Sequence, residues 1–373
     1  MQNNAIYPGA ILELQTTLMH LKKYKVFLVT GKKSFESCGA KEKIQWLFDS
    51  CEVTHFYDFQ TNPDSKDVIN GVQLFNQTKC EIIVSVGGGS VIDMAKLINY
   101  YHKAGIKTIE ESNIKNDNPE LVTHISLPTT AGSGAEATHF AVMYIGNTKY
   151  SIAHTKLIPD YAIIDPELHY SQTPYQKAVS GVDALAQAIE SFWSVQSTEE
   201  SRLYSEKALE LVWNNLPDVV HKGDNLAHLN MAVGANLAGR AINIAKTTAP
   251  HALAYGFTKY AGLPHGHAVA LTLPYFQKAH SQINDKNCND PRGTKHIDSI
   301  FARIKDIFKT NNSEHALKDF FNEINLDVDI RSLNLSKEIL LTIIENINTQ
   351  RLANNPLKIN KKEIINFLIN KEK

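Results

Sequence analysis

The fold can be inferred from one segment, EIIVSVGGGSVIDMAK at residues 81–96. It begins as a short apolar run typical of a buried parallel strand and ends with apolar residues at helical spacing. The glycines between these parts let backbone N–H groups approach a phosphate at the positive end of the helix dipole. The residues predicted to contact a nucleotide here are Gly87, Gly88, Gly89, Ser90 and Asp93. Three consecutive glycines favour this site over a plain tight turn, although the spacing is not G-x-G-x-x-G.

Strand-like runs recur along the first half of the chain. Together with the run above they cover residues 25–31, 81–89, 121–130 and 161–168. Helical patterns between them cover residues 41–50, 65–77 and 90–103. Alternating strands and helices are typical of a doubly wound parallel sheet. We therefore predict an α/β, Rossmann-like, dinucleotide-binding domain over residues 1–172.

A second glycine-rich loop follows the strand predicted at 121–130. It reads PTTAGSGAEAT, and its hydroxyl groups belong to Thr129, Thr130 and Ser133. These hydroxyls and the free amides of the loop would hold the far side of a dinucleotide, although a capped helix start has a similar composition. Two such loops at successive strand ends favour the cofactor site.

The pattern changes after Pro174, where turn residues become rare. The segments VDALAQAIESFW, SRLYSEKALELVWNNL and MAVGANLAGRAINIA repeat apolar residues at intervals of three and four. We therefore predict a second, all-α domain over residues 173–373.

Composition narrows the possible functions. The chain has 373 residues, of which 43% are hydrophobic and 21% charged, and its formal net charge is -1. A chain of this charge has no basic field for nucleic acid or an anionic membrane, so the expected partner is a small molecule. Its four cysteines have no C-x-x-C spacing, which suits a reducing compartment. With neither a signal-peptide pattern nor a membrane helix in the sequence, we expect a cytoplasmic protein.

Polar side chains in the second half form a possible metal site. Asp183 and Gln187 stand four residues apart, so both emerge on the same face of one predicted helix. His251 and His265 lie further along, in a segment of small residues. Together these side chains offer a set of four oxygen and nitrogen donors.

With these residues, the chain resembles the iron-containing (group III) alcohol dehydrogenase family over essentially its full length. The matching stretches are GGGSVIDMAK (87–96), PTTAGSGAEAT (128–138), IPDYAIIDPEL (158–168), GVDALAQAIES (181–191) and LPHG (263–266). Each stretch is moderately specific, and their order and spacing together are strong. The resemblance implies a dehydroquinate synthase-like architecture, with a nicotinamide cofactor and one divalent metal, Fe²⁺ or Zn²⁺.

In that family an aspartate, a histidine four residues later and two histidines fourteen residues apart hold the metal. Asp183, His251 and His265 occupy three of these positions, whereas Gln187 stands where the family has histidine. An amide oxygen binds a divalent ion more weakly than imidazole does. The resemblance therefore implies a metal centre of altered affinity, and the alternative is a family member that has lost its metal.

Two further residues are predicted near the reacting groups. Many family members have another histidine four residues after the first histidine ligand, and this chain has Tyr255 there. Tyr255 would donate a proton or a hydrogen bond to substrate, or would be a half-buried aromatic residue. His267 is not at a family ligand position, and it would either line the pocket or pack beneath it.

The nicotinamide can be predicted from the end of the first strand. Many family members carry an aspartate there, which would bind the adenosine ribose, whereas this chain reads LVTGKKS. Gly31 removes the carboxylate that would repel a 2′-phosphate, and Lys32, Lys33 and Ser34 supply charge and a hydroxyl group. We therefore favour NADP(H) over NAD(H), although lysine pairs usually belong to solvated turns.

The substrate can be predicted from the positive charges that precede His251. Arg240 and Lys246 stand where many relatives have small apolar residues, and a buried cation requires an anionic partner. They would bind a phosphonate, phosphate or carboxylate of the substrate, or form an internal salt bridge with Glu190, or lie at the surface. This region and the segment RLANNP (351–356) are similar to the phosphonoacetaldehyde reductase branch of the family.

These observations predict a reductase that converts a small anionic aldehyde, such as phosphonoacetaldehyde, to a primary alcohol. One alternative is a lyase similar to dehydroquinate synthase, which binds a nicotinamide without net turnover. Another is a metal-free binding protein, which only Gln187 suggests. Family habit favours a homodimer.

Overall fold

The computed structural model describes residues 2–146 and 148–369. By its internal contacts the chain divides into two compact units, Met1–Gln172 and Thr173–Lys373. The first unit combines a parallel sheet with helices, and the second is helical. The predicted fold class is therefore confirmed.

The first unit is built around a parallel β-sheet. Its strands, with those of a hairpin beside it, are β1 (Asn3–Ile6), β2 (Lys25–Thr30), β3 (Glu52–Phe56), β4 (Ile82–Gly87), β5 (Thr123–Pro128), β6 (Phe140–Ile145), β7 (Thr148–Ala153) and β8 (Tyr161–Ile164). The sheet has the order β1-β8-β5-β4-β2-β3, and β6 pairs with β7 in the antiparallel hairpin. The four predicted strands are the adjacent β8, β5, β4 and β2, whereas β1, β3 and the hairpin were not predicted.

Helices cover both faces of this sheet. They are α1 (Glu13–Leu21), α2 (Ser34–Ser37), α3 (Ala40–Lys43), α4 (Gln45–Ser50), α5 (Ser65–Thr78) and α6 (Gly89–Tyr101). Phe27 and Val29 of β2 pack in one apolar cluster with residues of α5 and α6. The alternate residues Val26 and Leu28 pack in a second cluster with residues of α1. Because both faces are buried, the central strands are continuous apolar runs.

The sheet brings the two glycine-rich loops together. Strands β4 and β5 are parallel neighbours, and Gly87 pairs with Pro128 at their carboxyl ends. Helix α6 begins two residues later, at Gly89. Both loops therefore start from the same edge of the sheet.

The second unit consists of helices α7 to α17. They are α7 (Pro174–Trp193), α8 (Glu199–His221), α9 (Asn225–Ala245), α10 (Ala249–Ala261), α11 (His265–Ala270), α12 (Leu273–His280), α13 (Thr294–Phe308), α14 (Ser313–Glu323), α15 (Lys337–Glu345), α16 (Thr349–Ala353) and α17 (Lys361–Leu368). Helix α7 begins with a capping box between Thr173 and Gln176, and it packs against α8, α9 and α11. Among the helices described, none combines the length and apolarity that a bilayer-spanning segment requires.

Candidate metal and cofactor sites

One stripe of polar side chains runs along the otherwise apolar helix α7. Asp183, Gln187 and Glu190 follow one another at intervals of four and three residues, and all three are buried. This spacing places them on one face of the helix, over two turns. Buried polar side chains require partners, so this stripe marks a site inside the second unit.

Helices α10 and α11 bring two histidines to this stripe. His251 lies in the first turn of α10, and His265 is the first residue of α11. The neighbouring Gly266 packs directly on α7, because a Cβ atom there would lie 1.9 Å from the carbonyl oxygen of Val179. Val179 precedes Asp183 by one helical turn. The glycine therefore allows the close approach that carries His265 to the aspartate.

Three of the four predicted metal ligands form one cluster. The donor atoms of Asp183, His251 and His265 all lie within 4.8 Å of one another. The Nε2 atom of His251 is 3.3 Å from Oδ1 of Asp183, and the rings of His251 and His265 meet edge to face at 5.2 Å. Two imidazoles and a carboxylate are donors that suit Fe²⁺ or Zn²⁺.

Glu190 fixes the orientation of the His251 ring. One of its carboxylate oxygens accepts a hydrogen bond from Nδ1 of His251. The other accepts from the backbone N–H of Thr248 at 2.7 Å and from its hydroxyl at 2.9 Å. Because a carboxylate only accepts, Nδ1 carries a proton and Nε2 faces Asp183. Sequence reasoning missed this role, although Glu190 continues the stripe of Asp183 and Gln187 by one turn.

The charges of the cluster favour a cation. Burial alone would lower the pKa of His251, but the carboxylates of Glu190 and Asp183 raise it to about 9. Burial alone would raise the pKa of Asp183, but the neighbouring imidazoles of His251 and His265 lower it. Two buried carboxylates therefore stabilise positive charge at this point, whether a proton or a metal ion carries it.

A carboxylate oxygen of the cluster that lacks a hydrogen bond also indicates room for a divalent ion. Within the described residues, Oδ1 of Asp183 is a buried oxygen with no hydrogen bond of acceptable geometry. Such an oxygen is costly unless a cation or a donor satisfies it. The side chain of Gln187 hydrogen-bonds to the Asp183 carboxylate and helps to lower its pKa. The glutamine thus lies beside the cluster, and its role as a fourth ligand stays a prediction.

Tyr255 covers His265, one of the clustered histidines. Its ring stacks on His265 with a centroid distance of 5.4 Å and an interplanar angle of 4°. The guanidinium carbon of Arg351 lies 5.3 Å from the centroid of the same ring. Burial raises the pKa of the Tyr255 phenol, and the charge of Arg351 opposes this shift. The phenol therefore keeps its proton at neutral pH and can donate a hydrogen bond.

The structure gives His267 a packing role. Its Nδ1 accepts a hydrogen bond from the hydroxyl of Tyr175 at 2.8 Å, and its Nε2 donates to the carbonyl oxygen of Asp327 at 2.6 Å. Both ring nitrogens are used inside the fold. We therefore correct the prediction that His267 is catalytic, in favour of the alternative that it packs beneath the site.

The two cations predicted to bind substrate are placed differently from expectation. Lys246 is exposed at the end of α9, in a left-handed backbone conformation with φ of 58°. Arg240 is half-buried, and its guanidinium carbon lies 5.9 Å from the ring centroid of Tyr204. Neither pairs with Glu190, whose carboxylate binds His251 and Thr248. The surface alternative therefore holds for Lys246, the salt bridge to Glu190 is wrong for both residues, and a substrate role of Arg240 stays a prediction.

In the first unit, the two glycine-rich loops contact each other. A Cβ atom at Gly88 would lie 3.4 Å from the Thr130 side chain, and one at Gly89 would lie 2.8 Å from the Ser133 hydroxyl. The backbone N–H of Thr129 donates to the carbonyl oxygen of Gly87 at 3.0 Å. Larger residues would fill this space, so the glycines keep a cradle of backbone amides between the loops.

Two neighbouring polar residues are used within the fold. The Ser90 hydroxyl accepts a hydrogen bond from the backbone N–H of Asn62 at 3.3 Å. The carboxylate of Asp93 accepts from the backbone N–H of Val142 at 3.0 Å, and burial raises the pKa of Asp93. We therefore correct the prediction for Asp93, which anchors β6 to α6 rather than pointing its carboxylate at a phosphate.

Sequence reasoning also missed Lys96, a fully buried lysine on α6. Its ammonium group donates to the carbonyl oxygens of Ala135, Thr138 and Phe140 at 2.6 to 3.0 Å. These hydrogen bonds hold the end of the second glycine-rich loop against α6. One feature of the sequence could have indicated that Lys96 is buried. It lies one turn after Ile92, at a position where the pattern of this helix places an apolar residue.

The end of β2 keeps the features that suggested NADP(H). Gly31 is half-buried, and Lys32 and Lys33 are exposed. Lys32 pairs with Asp58 at 2.6 Å, so part of its charge is offset. A Cβ atom at Gly31 would lie 2.3 Å from the Ser34 hydroxyl. The turn is therefore a solvated one that still carries a net positive charge.

Models of one protein family match both halves of the chain. The model described as iron-containing alcohol dehydrogenase matches residues 3–166. The model described as Fe-containing alcohol dehydrogenase family, C-terminal, matches residues 177–371. The two matches together span most of the sequence.

Individual relatives show the same similarity. Alcohol dehydrogenase 4 of Schizosaccharomyces pombe is 31% identical over 317 residues, covering 83% of this chain and 72% of the relative. A phosphonoacetaldehyde reductase of Streptomyces viridochromogenes is 32% identical over 266 residues, covering 69% and 66%. The crystal structure of sulfoacetaldehyde reductase from Bifidobacterium kashiwanohense in complex with NAD⁺ has a TM-score of 0.83 at 27% identity, with all of both chains covered.

Proposed function

Because the chain belongs to the iron-containing alcohol dehydrogenase family, we propose that it reduces a small anionic aldehyde to a primary alcohol with NADPH. The family comprises oxidoreductases that use a nicotinamide cofactor and a divalent metal. The identity of the aldehyde, the preference for NADPH and the choice between Fe²⁺ and Zn²⁺ are the proposed parts.

One observation carries the proposal, namely the cluster of the buried Asp183 and His251 with the half-buried His265, and with Glu190 behind it. When bound, a divalent cation supplies Lewis acidity that polarises a carbonyl oxygen and makes its carbon a better hydride acceptor. Asp183 and the two histidines would hold this ion, and Gln187 would offer a weaker fourth donor. Glu190 keeps the His251 ring turned for that purpose.

The remaining groups orient the reactants and supply a proton. Tyr255, whose phenol is protonated at neutral pH, would donate a hydrogen bond to the carbonyl oxygen as negative charge develops on it, would then transfer its proton to that oxygen to complete the alcohol, and would regain a proton from solvent. The reduced nicotinamide supplies the hydride, and the backbone amides near Gly88, Gly89 and Thr130 would hold its diphosphate. No nucleophilic side chain is required by this chemistry.

Two relatives support an anionic substrate. They are named as reductases of phosphonoacetaldehyde and of sulfoacetaldehyde. Both compounds carry an acidic, negatively charged group next to the carbon that bears the aldehyde. A substrate of this class is therefore proposed here, with phosphonoacetaldehyde as its first candidate.

The preference for NADPH is supported by the end of β2. Gly31 offers no carboxylate to the adenosine ribose, so a 2′-phosphate would meet no repulsion there. Lys33 is exposed beside it and belongs to no described salt bridge within 4.0 Å. A lysine in this position would attract the additional phosphate of NADPH.

The test is an aldehyde panel with both reduced nicotinamides and with metal content measured on the same preparation. We expect net oxidation of NADPH with phosphonoacetaldehyde, and activity that follows bound metal. A Gln187→His variant prepared in parallel should bind metal more tightly. A metal-replete protein that oxidises neither nicotinamide with any aldehyde would reject the proposal and favour a lyase or a binding protein.

A further inference from the structure

The segment RLANNP (351–356) is fixed against the metal-binding helices. The amide nitrogen of Asn354 donates to the carbonyl oxygens of Ala245 at 2.9 Å and Thr247 at 3.1 Å. Its side-chain oxygen accepts from the backbone N–H of Gln196 at 3.0 Å. Asn354 is itself buried. The segment is therefore bonded to the end of α9, to the turn that precedes α10 and to the chain just after α7.

This anchoring directs Arg351 towards the metal cluster. Its guanidinium donates a hydrogen bond to the hydroxyl of Thr247 and lies 5.3 Å from the centroid of the Tyr255 ring. That ring stacks in parallel on His265, one of the three clustered donors. A permanent positive charge thus lies one aromatic ring away from a metal-ligating histidine.

Among the described residues, Arg351 lacks the carboxylate partner that Arg292, Arg303 and Arg331 of the second unit have. Arg292 pairs with Asp290, and Arg303 pairs with Glu206 and Glu210. In the described ranges, no carboxylate oxygen lies within 4.0 Å of the Arg351 guanidinium, although Arg351 is half-buried. A partly desolvated cation without a counter-charge is costly, and an anionic ligand would recover that cost.

We propose that Arg351 binds the anionic group of the substrate whose carbonyl is reduced at the metal cluster. This inference rests on the proposed function. A guanidinium is planar and offers parallel N–H donors, which match two oxygens of a phosphonate or sulfonate. Thr247 accepts a hydrogen bond from Arg351, so its own hydroxyl proton stays available for a third oxygen of the same group.

The chemistry of the ligand follows from this arrangement. The guanidinium of Arg351 lies close to the metal cluster. A molecule that contacts both must therefore have its anionic group and its carbonyl only a short distance apart. A tetrahedral oxyanion separated from the aldehyde by a single methylene meets this condition. Arg351 would then be the residue that determines specificity for anionic over neutral aldehydes.

The experiment compares aldehydes of the same shape and different charge. Wild type, Arg351→Gln, Arg351→Lys and the control Lys246→Gln are assayed with phosphonoacetaldehyde, sulfoacetaldehyde and the neutral analogue tert-butylacetaldehyde. We expect Arg351→Gln to lower kcat/KM for both anionic aldehydes by about 10- to 100-fold. The kcat/KM of Arg351→Gln for the neutral aldehyde should change by less than about threefold. For the anionic aldehydes, the kcat/KM of Arg351→Lys should lie between those of wild type and Arg351→Gln. Lys246→Gln should leave the ratio of anionic to neutral activity unchanged.

A binding measurement separates recognition from folding. Hydroxyethylphosphonate, the alcohol product, should raise the Tm of the metal-loaded wild type and not that of Arg351→Gln, while both retain equal metal. Equal losses on anionic and neutral aldehydes, or an unchanged ratio, would overturn the inference and leave the reductase standing. A wild type that prefers neutral aldehydes would also overturn it. A wild type that reduces no aldehyde would overturn the proposed function and, with it, this inference.

Discussion

Glu190 links the metal cluster to the fold around it. Its carboxylate binds His251 on one side and Thr248 on the other, and Thr248 in turn accepts a hydrogen bond from the indole of Trp193 at 3.0 Å. The position of His251 therefore depends on residues outside the cluster of donors. Such outer partners raise the basicity of a metal-bound imidazole and fix its tautomer.

A Glu190→Gln variant should bind metal about 10- to 100-fold more weakly. The amide can still accept from Nδ1 of His251, but it lacks the negative charge that favours a cation beside it. The measurement is a competition titration with a chelator of known affinity. Glu120→Gln, on an exposed loop, is the matched control and should retain wild-type affinity. Equal affinity of Glu190→Gln and wild type would remove Glu190 from the metal site.

A Gly31→Asp variant should shift the cofactor preference towards NADH. The new carboxylate would repel the 2′-phosphate and could bind the free ribose hydroxyl. A Cβ atom at Gly31 would meet the Ser34 hydroxyl. The substitution is therefore also made together with Ser34→Ala, which removes this contact, and the single Ser34→Ala variant is the control. The ratio of kcat/KM for NADPH to that for NADH should fall by about tenfold or more. An unchanged ratio would place the adenosine ribose away from the end of β2.

The elements differ in how well their sequences predict them. Central strands such as β4 are buried on both faces, so their apolar runs stand out; the edge strand β3 reads EVTHF and is mostly half-buried, so it does not. The helix predicted over 41–50 is interrupted at Ile44, whose φ of -111° separates α3 from α4. Propensity and periodicity cannot show such a break, because tertiary packing sets it.

The residues of the site also differ in how well the sequence predicts their contacts. Asp183 and Gln187 could be paired from their spacing on one helix, since that contact is local. Arg351 could not be placed beside Tyr255, nor His267 beside Tyr175, because the residues of each pair are about 90 to 100 positions apart in the sequence. Periodicity shows which face of a helix is buried and does not show which helix covers it.

The contact between α7 and α11 makes a prediction for Gly266. A Gly266→Ala methyl group would lie within 1.9 Å of a backbone oxygen of α7, which no side-chain rotation can relieve. Helix α11 must then move, and His265 moves with it. We expect a loss of about 1–3 kcal/mol in stability together with a clear loss of bound metal.

The control for this variant is Gly234→Ala on α9. A methyl group there would meet the side chain of Val212 at 2.9 Å, so it should lower the Tm through overpacking while leaving metal content unchanged. Calorimetry and metal analysis on the same samples separate the two effects. Full metal content in Gly266→Ala would show that His265 does not depend on this contact.

At the scale of the whole molecule, the predicted chemistry is divided between the two units. The glycine-rich loops and the end of β2 lie within Met1–Gln172, and the clustered donors lie within Thr173–Lys373. The sequence showed this division through the change from alternating strands and helices to helices alone. Both units bury apolar side chains, so the glycine-rich loops and the clustered donors are each held by packing within their own unit.

Metal removal should therefore affect the second unit selectively. A ligand that binds only the folded state stabilises it by about 2.7 kcal/mol when present at 100 times its Kd. Chelation should therefore lower the stability of the unit that contains helices α7 to α11. Asp183 and Glu190 would then be left as buried carboxylates with His251 between them and no divalent charge to balance them. The affinity for NADPH, measured by nucleotide fluorescence, should change by less than about threefold, because the phosphate cradle lies in the first unit. Hydrogen exchange on the chelated and the reloaded protein locates the loss of stability. Faster exchange in α6 and the glycine-rich loops, with α7 and α10 unchanged, would contradict this assignment of the metal to the helical unit.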